Sequence, residues 1–260
     1  MPAPINRFKA AIAERRLQVG LWVAITSPFA AEICGGAGYD WLVLDAEHAP
    51  NDLQTLAAQM QALSASSAHV VIRPPIGEAW MIKRALDIGA QTILAPMVES
   101  REQAEALARA LRYPPHGVRG VGAALARASR FNREPDYLRT ADAQVCLIAQ
   151  VESRAGLASL SDIAAVDGVD GVFVGPADLA ADMGHLGNPG APEVQAAVEV
   201  AVRDIQRCGK PAGVLTSDQT LARRYAALGA SFVAIGSDVG LLVNATTRLL
   251  SDFREASVRG

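Results

Sequence analysis

Eight short apolar segments, each followed by a longer helix-like segment, constrain the fold of this 260-residue chain more than any other feature. The apolar segments have the length and composition of buried strands and occupy residues 19–24, 41–45, 69–73, 92–96, 145–152, 171–175, 211–215 and 232–236. The helix-like segments lie near 29–37, 52–65, 79–88, 100–112, 154–165, 192–208, 218–228 and 238–250. Several of them begin at a capping residue: Asp52, Ser100, Ser153, Ser217 and Ser237.

This order of strands and helices predicts a closed (β/α)8 barrel, the TIM barrel of the α/β class. A doubly wound sheet is a weaker interpretation, because no GxGxxG motif follows the first strand. Barrels of this kind commonly use about 250 residues in one domain. We therefore expect residues 1–260 to form a single barrel domain, with a core supplied by a chain that is 50% hydrophobic.

Charge and cysteine usage limit the partners and the compartment. The net charge of −3 provides no basic surface for nucleic acid or an anionic membrane. No apolar run approaches the roughly 18 residues of a membrane span, and the first 16 residues lack the apolar core of a secretory signal. Cys34, Cys146 and Cys208 are scattered and form no CxxC motif, which favours free thiols in a reducing cytoplasm.

The connection between the fourth helix-like segment and the fifth strand is unusually long. It covers residues 113–144, whereas most connections in compact domains are only a few residues long. Long connections usually carry small elements of their own or have a function. We expect this segment to cover the active site or to contact another subunit.

Polar side chains collect where the predicted strands end. In a (β/α)8 barrel the active site lies at the carboxyl ends of the strands, because the loops there come together. The polar groups at or just past those ends are Asp45, Glu47, His48, Arg73, Gln150, Glu152 and Asp178.

Two of the carboxylates form a candidate metal site. Alternation along strand five places Gln150 and Glu152 on one face, with Glu152 at the rim. Asp178 follows the next strand, so the two acids are expected to be neighbours. Two carboxylate ligands leave most of an octahedral shell open, which suits Mg²⁺ or Mn²⁺ bound by water and a chelating substrate. Helix capping is the alternative role for both acids, and the position beside Gln150 favours the metal site.

Arg73 and His48 are the candidate catalytic groups. The planar guanidinium of Arg73 suits a carboxylate or a developing enolate charge, and an ion pair with Asp45 or Glu47 is compatible with that role. His48 is the one histidine of four that follows a strand beside two acids, which predicts a role in proton transfer. Asp87, at the end of the third helix-like segment, is a candidate partner that orients His48.

Lysine and phosphate chemistry are not expected. A Schiff-base aldolase or a pyridoxal phosphate enzyme needs an active-site lysine, and Lys9, Lys83 and Lys210 all lie away from the strand carboxyl ends. The loops after strands seven and eight carry Asp218 and Asp238, where a phosphate would need hydrogen-bond donors. The predicted substrate is therefore unphosphorylated, and no nucleotide cofactor is expected.

The chain resembles the class II, metal-dependent pyruvate aldolases of the 4-hydroxy-2-oxoheptane-1,7-dioate and 2-keto-3-deoxy-sugar-acid type. The resemblance spans nearly the whole chain in ordered blocks. These blocks are DAEH (45–48), RPP (73–75), GAQTILAPMVES (89–100), YPPHGVRGVG (113–122), ARASRF (126–131), QVES (150–153) and VDGVFVGPADLAADMG (169–184).

The resemblance implies a role for individual positions. The catalytic histidine of the family falls on His48, and the acids that orient it fall on Asp45 and Asp87. The pyruvate-binding arginine falls on Arg73. The metal ligands implied by the resemblance are Glu152 and Asp178. The further substrate contacts implied are Gln150, Gly175, Pro176, Ala177, Trp22 and Leu215, of which Ala177 stands where some relatives have serine.

The resemblance also implies a reaction and an assembly. The reaction is reversible cleavage of 4-hydroxy-2-oxo acids to an unphosphorylated aldehyde and pyruvate, or a close analogue such as hydroxypyruvate. An enolate would be stabilised by Mg²⁺, Mn²⁺ or Co²⁺ together with Arg73. A lyase resembling the citrate lyase β-subunit, or a binding scaffold without turnover, is the alternative. Family members are typically homohexamers, dimers of trimers that exchange a C-terminal helix, which here would follow about residue 238.

Overall fold

A closed barrel of eight parallel strands forms the centre of the protein in a computed structural model that describes residues 1–258. Neighbouring strands along the sequence pair with one another, and β8 pairs with β1 to close the barrel. The strands are β1 Gln18–Val23, β2 Trp41–Asp45, β3 His69–Arg73, β4 Thr92–Ala95, β5 Cys146–Val151, β6 Val169–Val174, β7 Ala212–Leu215 and β8 Phe232–Ser237. All eight predicted strands are confirmed, and the (β/α)8 prediction with them.

Helices surround the barrel and cover its base. They are α1 Arg7–Ala13, α2 Pro28–Gly35, α3 Leu53–Ala62, α4 Ala79–Asp87, α5 Arg101–Leu111, α6 Tyr137–Gln144, α7 Arg154–Ala158, α8 Leu160–Ala164, α9 Pro176–Asp182, α10 Pro192–Arg207, α11 Gln219–Ala227 and α12 Asp238–Val258. The segment predicted as one helix over 154–165 is thus two helices, which meet at Ser159.

Side-chain caps start several of these helices. Asp52, Ser100 and Ser153 each accept a hydrogen bond from a backbone N–H in the first turn, as predicted. The prediction of Ser217 as the cap of α11 is wrong. Asp218 takes that position, because its carboxylate accepts from two backbone N–H groups at the start of the helix.

Two apolar layers hold the barrel together. The larger layer lies between the strands and the surrounding helices. The smaller one fills the barrel interior, where alternate residues of each strand point inward, and Phe8 and Ile12 of α1 close it at the base. Phe8, Trp41 and Phe232 contact one another there, with ring centroids 5.5 to 5.8 Å apart. The filled interior leaves the carboxyl ends of the strands as the place for a site.

The long connection 113–144 lies at the base of its own barrel. It contains two short 3-10 turns and α6, and Thr140 and Gln144 accept hydrogen bonds from the N-terminal segment. Arg127 donates to carbonyls near the carboxyl ends of α3 and α4, which also lie at the base. The expectation that this segment covers the active site is therefore wrong within one subunit. Its other expected role, contact with a second subunit, stays a prediction.

The last helix, α12, projects from the carboxyl end of β8. Its contacts within the chain are mainly with β1 and β8 near its first turns. Large apolar side chains along it are exposed, including Leu242, Leu249 and Leu250. Across residues 1–258, no helix is both long enough and apolar enough to cross a membrane.

Candidate active site

Arg73 and Asp45 are joined across the ends of β3 and β2. The register of the two strands places these residues opposite each other. The guanidinium donates from Nε to Asp45 Oδ1 at 2.9 Å and from Nη2 to Asp45 Oδ2 at 2.7 Å. Both side chains are buried, and paired hydrogen bonds of this kind fix the plane of a guanidinium as well as its position.

Glu47 and Trp22 complete the surroundings of this guanidinium. Nη1 of Arg73 lies 2.7 Å from Glu47 Oε2 in an ion pair whose alignment does not meet that of a hydrogen bond. The Trp22 ring lies under the guanidinium, 5.0 Å from its central carbon. The ion pairs of Arg73 with both acids agree with the sequence interpretation. The sequence indicated Glu47 only as an ion-pair partner of Arg73, whereas its charge also acts on Glu152.

A second buried group lies at the end of β5. Glu152 is 2% exposed, and its Oε1 accepts from the backbone N–H of Met97 at 2.9 Å. Its Oε2 accepts from Gln150 Nε2 at 2.5 Å, so the two residues that share a strand face also bond to each other. Met97 has a positive φ of 53°, a strained conformation for this residue type that turns its N–H toward the carboxylate.

Gly175 makes room for this carboxylate after β6. A Cβ at this position would lie 2.4 Å from Glu152 Oε2, so a larger residue would displace the acid. Asp178 follows in the first turn of α9 and is exposed. Its charge acts on Glu152 closely enough to affect the pKa of that residue. The structure thus brings Glu152, Gln150 and Gly175 together, with Asp178 beside them.

The electrostatics of this rim are dominated by acids. Burial raises the pKa of Glu152 to about 7, and the charges of Asp178 and Glu47 add to the rise, while the bonds from Gln150 and Met97 oppose it. Burial also raises the pKa of Glu47, against the effect of Arg73. A bound cation would compensate this clustering of negative charge.

These residues fit a divalent metal ion. Glu152 and Asp178 offer two carboxylates, and the Oε1 atom of Gln150 is buried without a hydrogen-bond partner. In the described part of the chain, no three or more His, Cys, Asp or Glu side chains are grouped as a metal cage. The donor set is therefore the sparse, oxygen-only kind that suits Mg²⁺ or Mn²⁺ and leaves room for water and substrate.

His48 lies at the rim but is not held by the acids that were predicted to orient it. Its side chain is 65% exposed, and its Nε2 is 3.9 Å from Glu47 Oε2. The predicted partner Asp87 lies at the base of the barrel instead. Its carboxylate accepts from Arg119 at 2.8 Å, and the Arg119 guanidinium lies over the Tyr113 ring. A helix that follows a strand runs back toward the strand's amino end, so Asp87 at the end of α4 lies at the wrong face to orient His48 of its own chain.

An apolar wall borders the two polar groups. Trp22 packs in the barrel interior 5.5 Å from Phe173, and Leu215 at the end of β7 packs against the same cluster. Pro176 and Ala177 start α9 next to Gly175. The predicted substrate contacts therefore line one rim of the barrel. Asp238, which the sequence indicated only as an acid after strand eight, is buried and accepts from the backbone N–H groups that follow β1.

The lysines lie away from this rim. Lys9 Nζ donates to the carbonyl of Val145 and Lys210 Nζ to the carbonyl of Val169, both at the amino ends of strands. Lys83 is on α4, outside the barrel. The chemistry open to the rim is thus binding of an anionic, chelating small molecule between Arg73 and the carboxylates, with His48 available for proton transfer.

Known proteins are similar to this chain over most of its length. The model of the HpcH/HpaI aldolase/citrate lyase family matches residues 18–245. A hydroxypyruvate/pyruvate aldolase of Pseudomonas aeruginosa is 57% identical over 98% of this chain and 95% of its own length. A 4-hydroxy-2-oxo-heptane-1,7-dioate aldolase of Escherichia coli is 51% identical over 95% of each chain. The crystal structure of an HpcH/HpaI aldolase/citrate lyase family protein from Burkholderia cenocepacia J2315 has a TM-score of 0.92 and 40% identity, covering 96% of this chain and 99% of that one.

Proposed function

Because the chain belongs to the HpcH/HpaI aldolase/citrate lyase family and is a carbon–carbon lyase of the aldolase type, we propose that it acts on 4-hydroxy-2-oxo acids. The products of cleavage would be an unphosphorylated aldehyde and pyruvate, or a close analogue such as hydroxypyruvate. The observation that supports this proposal most is the pairing of two buried groups at one rim. Arg73 is fixed by Asp45, and Glu152 is fixed by Gln150 and Met97.

A divalent metal ion is part of this proposal, as metal dependence is general in the family. Glu152 and Asp178 would hold Mg²⁺, Mn²⁺ or Co²⁺, and Gln150 would bond to the ligand shell. When bound, the ion supplies a Lewis acid for the carboxylate and ketone oxygens of the 2-oxo acid. Burial raises the pKa of Glu152 to about 7, and the charges of Asp178 and Glu47 add to the rise, which supports a cation at this position.

Arg73 and His48 would carry the chemistry of the chain itself. The guanidinium, held in one plane by Asp45, stabilises negative charge at the ketone oxygen as the enolate forms. His48 takes the proton from the C4 hydroxyl during cleavage and returns it during condensation. Its exposed position at the rim leaves the imidazole free to approach that hydroxyl.

The whole chain would act as one domain in a homo-oligomer, a hexamer made of two trimers. The exposed apolar side chains along α12 support exchange of this helix between subunits. No contact described for residues 1–258 favours the alternative, a lyase resembling the citrate lyase β-subunit. The cytoplasmic location expected from the cysteine pattern stays a prediction.

A coupled assay tests the proposal. Pyruvate release from a panel of 4-hydroxy-2-oxo acids is followed with lactate dehydrogenase, before and after removal of metal with EDTA. We expect turnover to be lost with EDTA and to return with Mn²⁺, Co²⁺ or Mg²⁺, because two carboxylates bind a metal ion reversibly. Full turnover in thoroughly demetallated protein would reject the metal site. No pyruvate from any member of the panel with metal present would reject the substrate class.

A further inference from the structure

A cavity of about 550 Å³ opens beside the predicted substrate contacts. Pro176, Ala177 and Leu215 line it on the side of the barrel, and the loop Thr216–Ser217–Asp218 lines it on the side of α11. Its volume lies within the range of small-molecule sites, and the lining shares three residues with the expected substrate pocket. The cavity is therefore an extension of the active site.

A continuous path of contacts leads from Arg73 to this cavity. The guanidinium stacks on Trp22, and Leu215 packs against the interior cluster that contains Trp22. On the other side, Gly175 adjoins Glu152 and leads directly into Pro176 and Ala177. The cavity therefore adjoins both groups between which a 2-oxo acid would be held, Arg73 through Trp22 and Leu215, and Glu152 through Gly175.

The charge of the lining restricts what can bind there. Asp218 is the one acidic side chain among the lining residues, which include no lysine, arginine or histidine. Its Oδ1 accepts from the backbone N–H groups of Thr220 and Leu221 at 2.7 and 3.0 Å, so the carboxylate is fixed in place. Thr216 and Ser217 add two hydroxyl groups to the same wall.

We propose that this cavity is the acceptor-aldehyde subsite and that Asp218 is its specificity-determining residue. Neutral, hydroxylated aldehydes bind there by hydrogen bonds to Asp218 and the two neighbouring hydroxyls. Aldehydes with a terminal carboxylate or phosphate are disfavoured by the negative charge. This inference rests on the proposed aldolase function and names its acceptor class.

Substitution D218N tests the charge, because asparagine keeps the shape and the helix cap but removes the negative charge. Condensation with pyruvate is measured for D-glyceraldehyde, which is neutral, and succinic semialdehyde, which carries a carboxylate. We expect D218N to raise the ratio of kcat/KM for the charged over the neutral aldehyde by about three- to tenfold at low salt. The preference of the wild type for the neutral aldehyde should shrink with added salt, since charge effects are screened. D162N, which removes an exposed acid from α8, is the control and should leave the ratio unchanged.

A second variant tests the volume. S217F should fill the cavity and lower kcat/KM for the four-carbon D-erythrose at least several-fold more than for the two-carbon glycolaldehyde. An unchanged ratio of charged to neutral acceptor in D218N, or equal losses for both acceptors in S217F, overturns the subsite. Exchange of the C3 protons of pyruvate by the wild type, without any aldehyde, reports the proposed function separately. Absence of that exchange with metal present would reject the function, whereas exchange with unaltered acceptor ratios rejects only the subsite.

Discussion

The guanidinium of Arg73 contacts three side chains at the rim of the barrel. Two hydrogen bonds go to Asp45, one ion pair goes to Glu47, and one face rests on Trp22. Two carboxylates around one guanidinium leave a local excess of negative charge. With that excess, the metal ion that we propose at Glu152 and Asp178 would favour binding of an anionic substrate next to Arg73.

Substitution separates the roles of Arg73 and His48. Arg73→Lys loses the paired geometry, so both pyruvate C3 proton exchange and retro-aldol cleavage should fall by about 10²-fold or more. His48→Ala should lower cleavage by about 10²–10⁴-fold and exchange much less, because only cleavage needs the C4 hydroxyl proton moved. Both rates are measured by NMR exchange and coupled pyruvate assay. His116→Ala is the control, since this histidine is exposed and pairs with Asp142 at the base. Near-normal exchange in Arg73→Lys would contradict its place at the enolate.

The predictable part of the site consists of side chains at strand ends. Arg73, Gln150 and Glu152 could be placed from sequence because a strand's carboxyl end and its alternation fix which side chains reach the rim. Met97 could not, because it acts through a backbone N–H whose direction depends on a positive φ. Asp87 cannot orient His48 within one chain, because α4 runs back toward the base of the barrel and ends there at Asp87, which pairs with Arg119.

At the scale of elements, α1 closes the base of the barrel on a neutral histidine. Phe8 of α1 stacks on the His69 ring at 5.5 Å. Asn6 Nδ2 donates to Thr92 Oγ1 at 3.1 Å, and that hydroxyl is 2.7 Å from His69 Nε2. A hydroxyl that accepts from Asn6 can donate its own proton to an unprotonated Nε2. Burial lowers the pKa of His69 to about 4, which agrees with a neutral ring.

This arrangement predicts a loss of stability in mild acid. The unfolded chain binds a proton at His69 below about pH 6.5, whereas the folded chain does so only below about pH 4. The free energy of unfolding should therefore fall as the pH drops through this window, by about 2 kcal/mol at pH 5 from this residue. Urea unfolding at pH 7 and pH 5 measures it. His69→Gln should remove about that much of the pH dependence, whereas His116→Gln should not. An equal pH dependence in wild type and His69→Gln would contradict the explanation.

Sequence patterns predicted the strands more accurately than the short helices and the long connection. The strands were predicted to within two residues because each is a short buried run flanked by polar residues. Helix α9 was not predicted, since its seven residues begin at Pro176, directly after Gly175, and are too few to show a helical periodicity. The predicted place of segment 113–144 over the active site was wrong within one subunit, because its contacts are with residues distant along the chain.

At the scale of the whole molecule, α12 contacts its own barrel mainly through β1 and β8. Helices α2–α5, α10 and α11 each bury an apolar face. Along α12, by contrast, residues 241–255 are exposed, and Leu242 and Leu249 lie two turns apart on one face. An apolar face of this length is typical of an interface rather than of a surface helix. Sequence alone could indicate the helix, but whether its face is covered depends on the subunit boundary.

Charge on the apolar face of α12 should therefore break the assembly. In Leu242→Glu/Leu249→Glu, two carboxylates replace side chains that are 56% and 74% exposed in one subunit. If α12 packs on a neighbouring subunit, burying these charges is strongly unfavourable, and light scattering should report a mass reduced from six subunits to fewer. Asn244→Glu/Ser251→Glu is the matched control, because these residues have the same spacing and lie on the opposite face of the helix. Circular dichroism of both variants tests that the barrel remains folded.

A hexamer that persists in Leu242→Glu/Leu249→Glu, or a wild type that is monomeric at micromolar concentration, would contradict an interface formed by this helix. Loss of the hexamer in both double variants would assign the effect to added charge on α12 in general, and the apolar face would lose its special role.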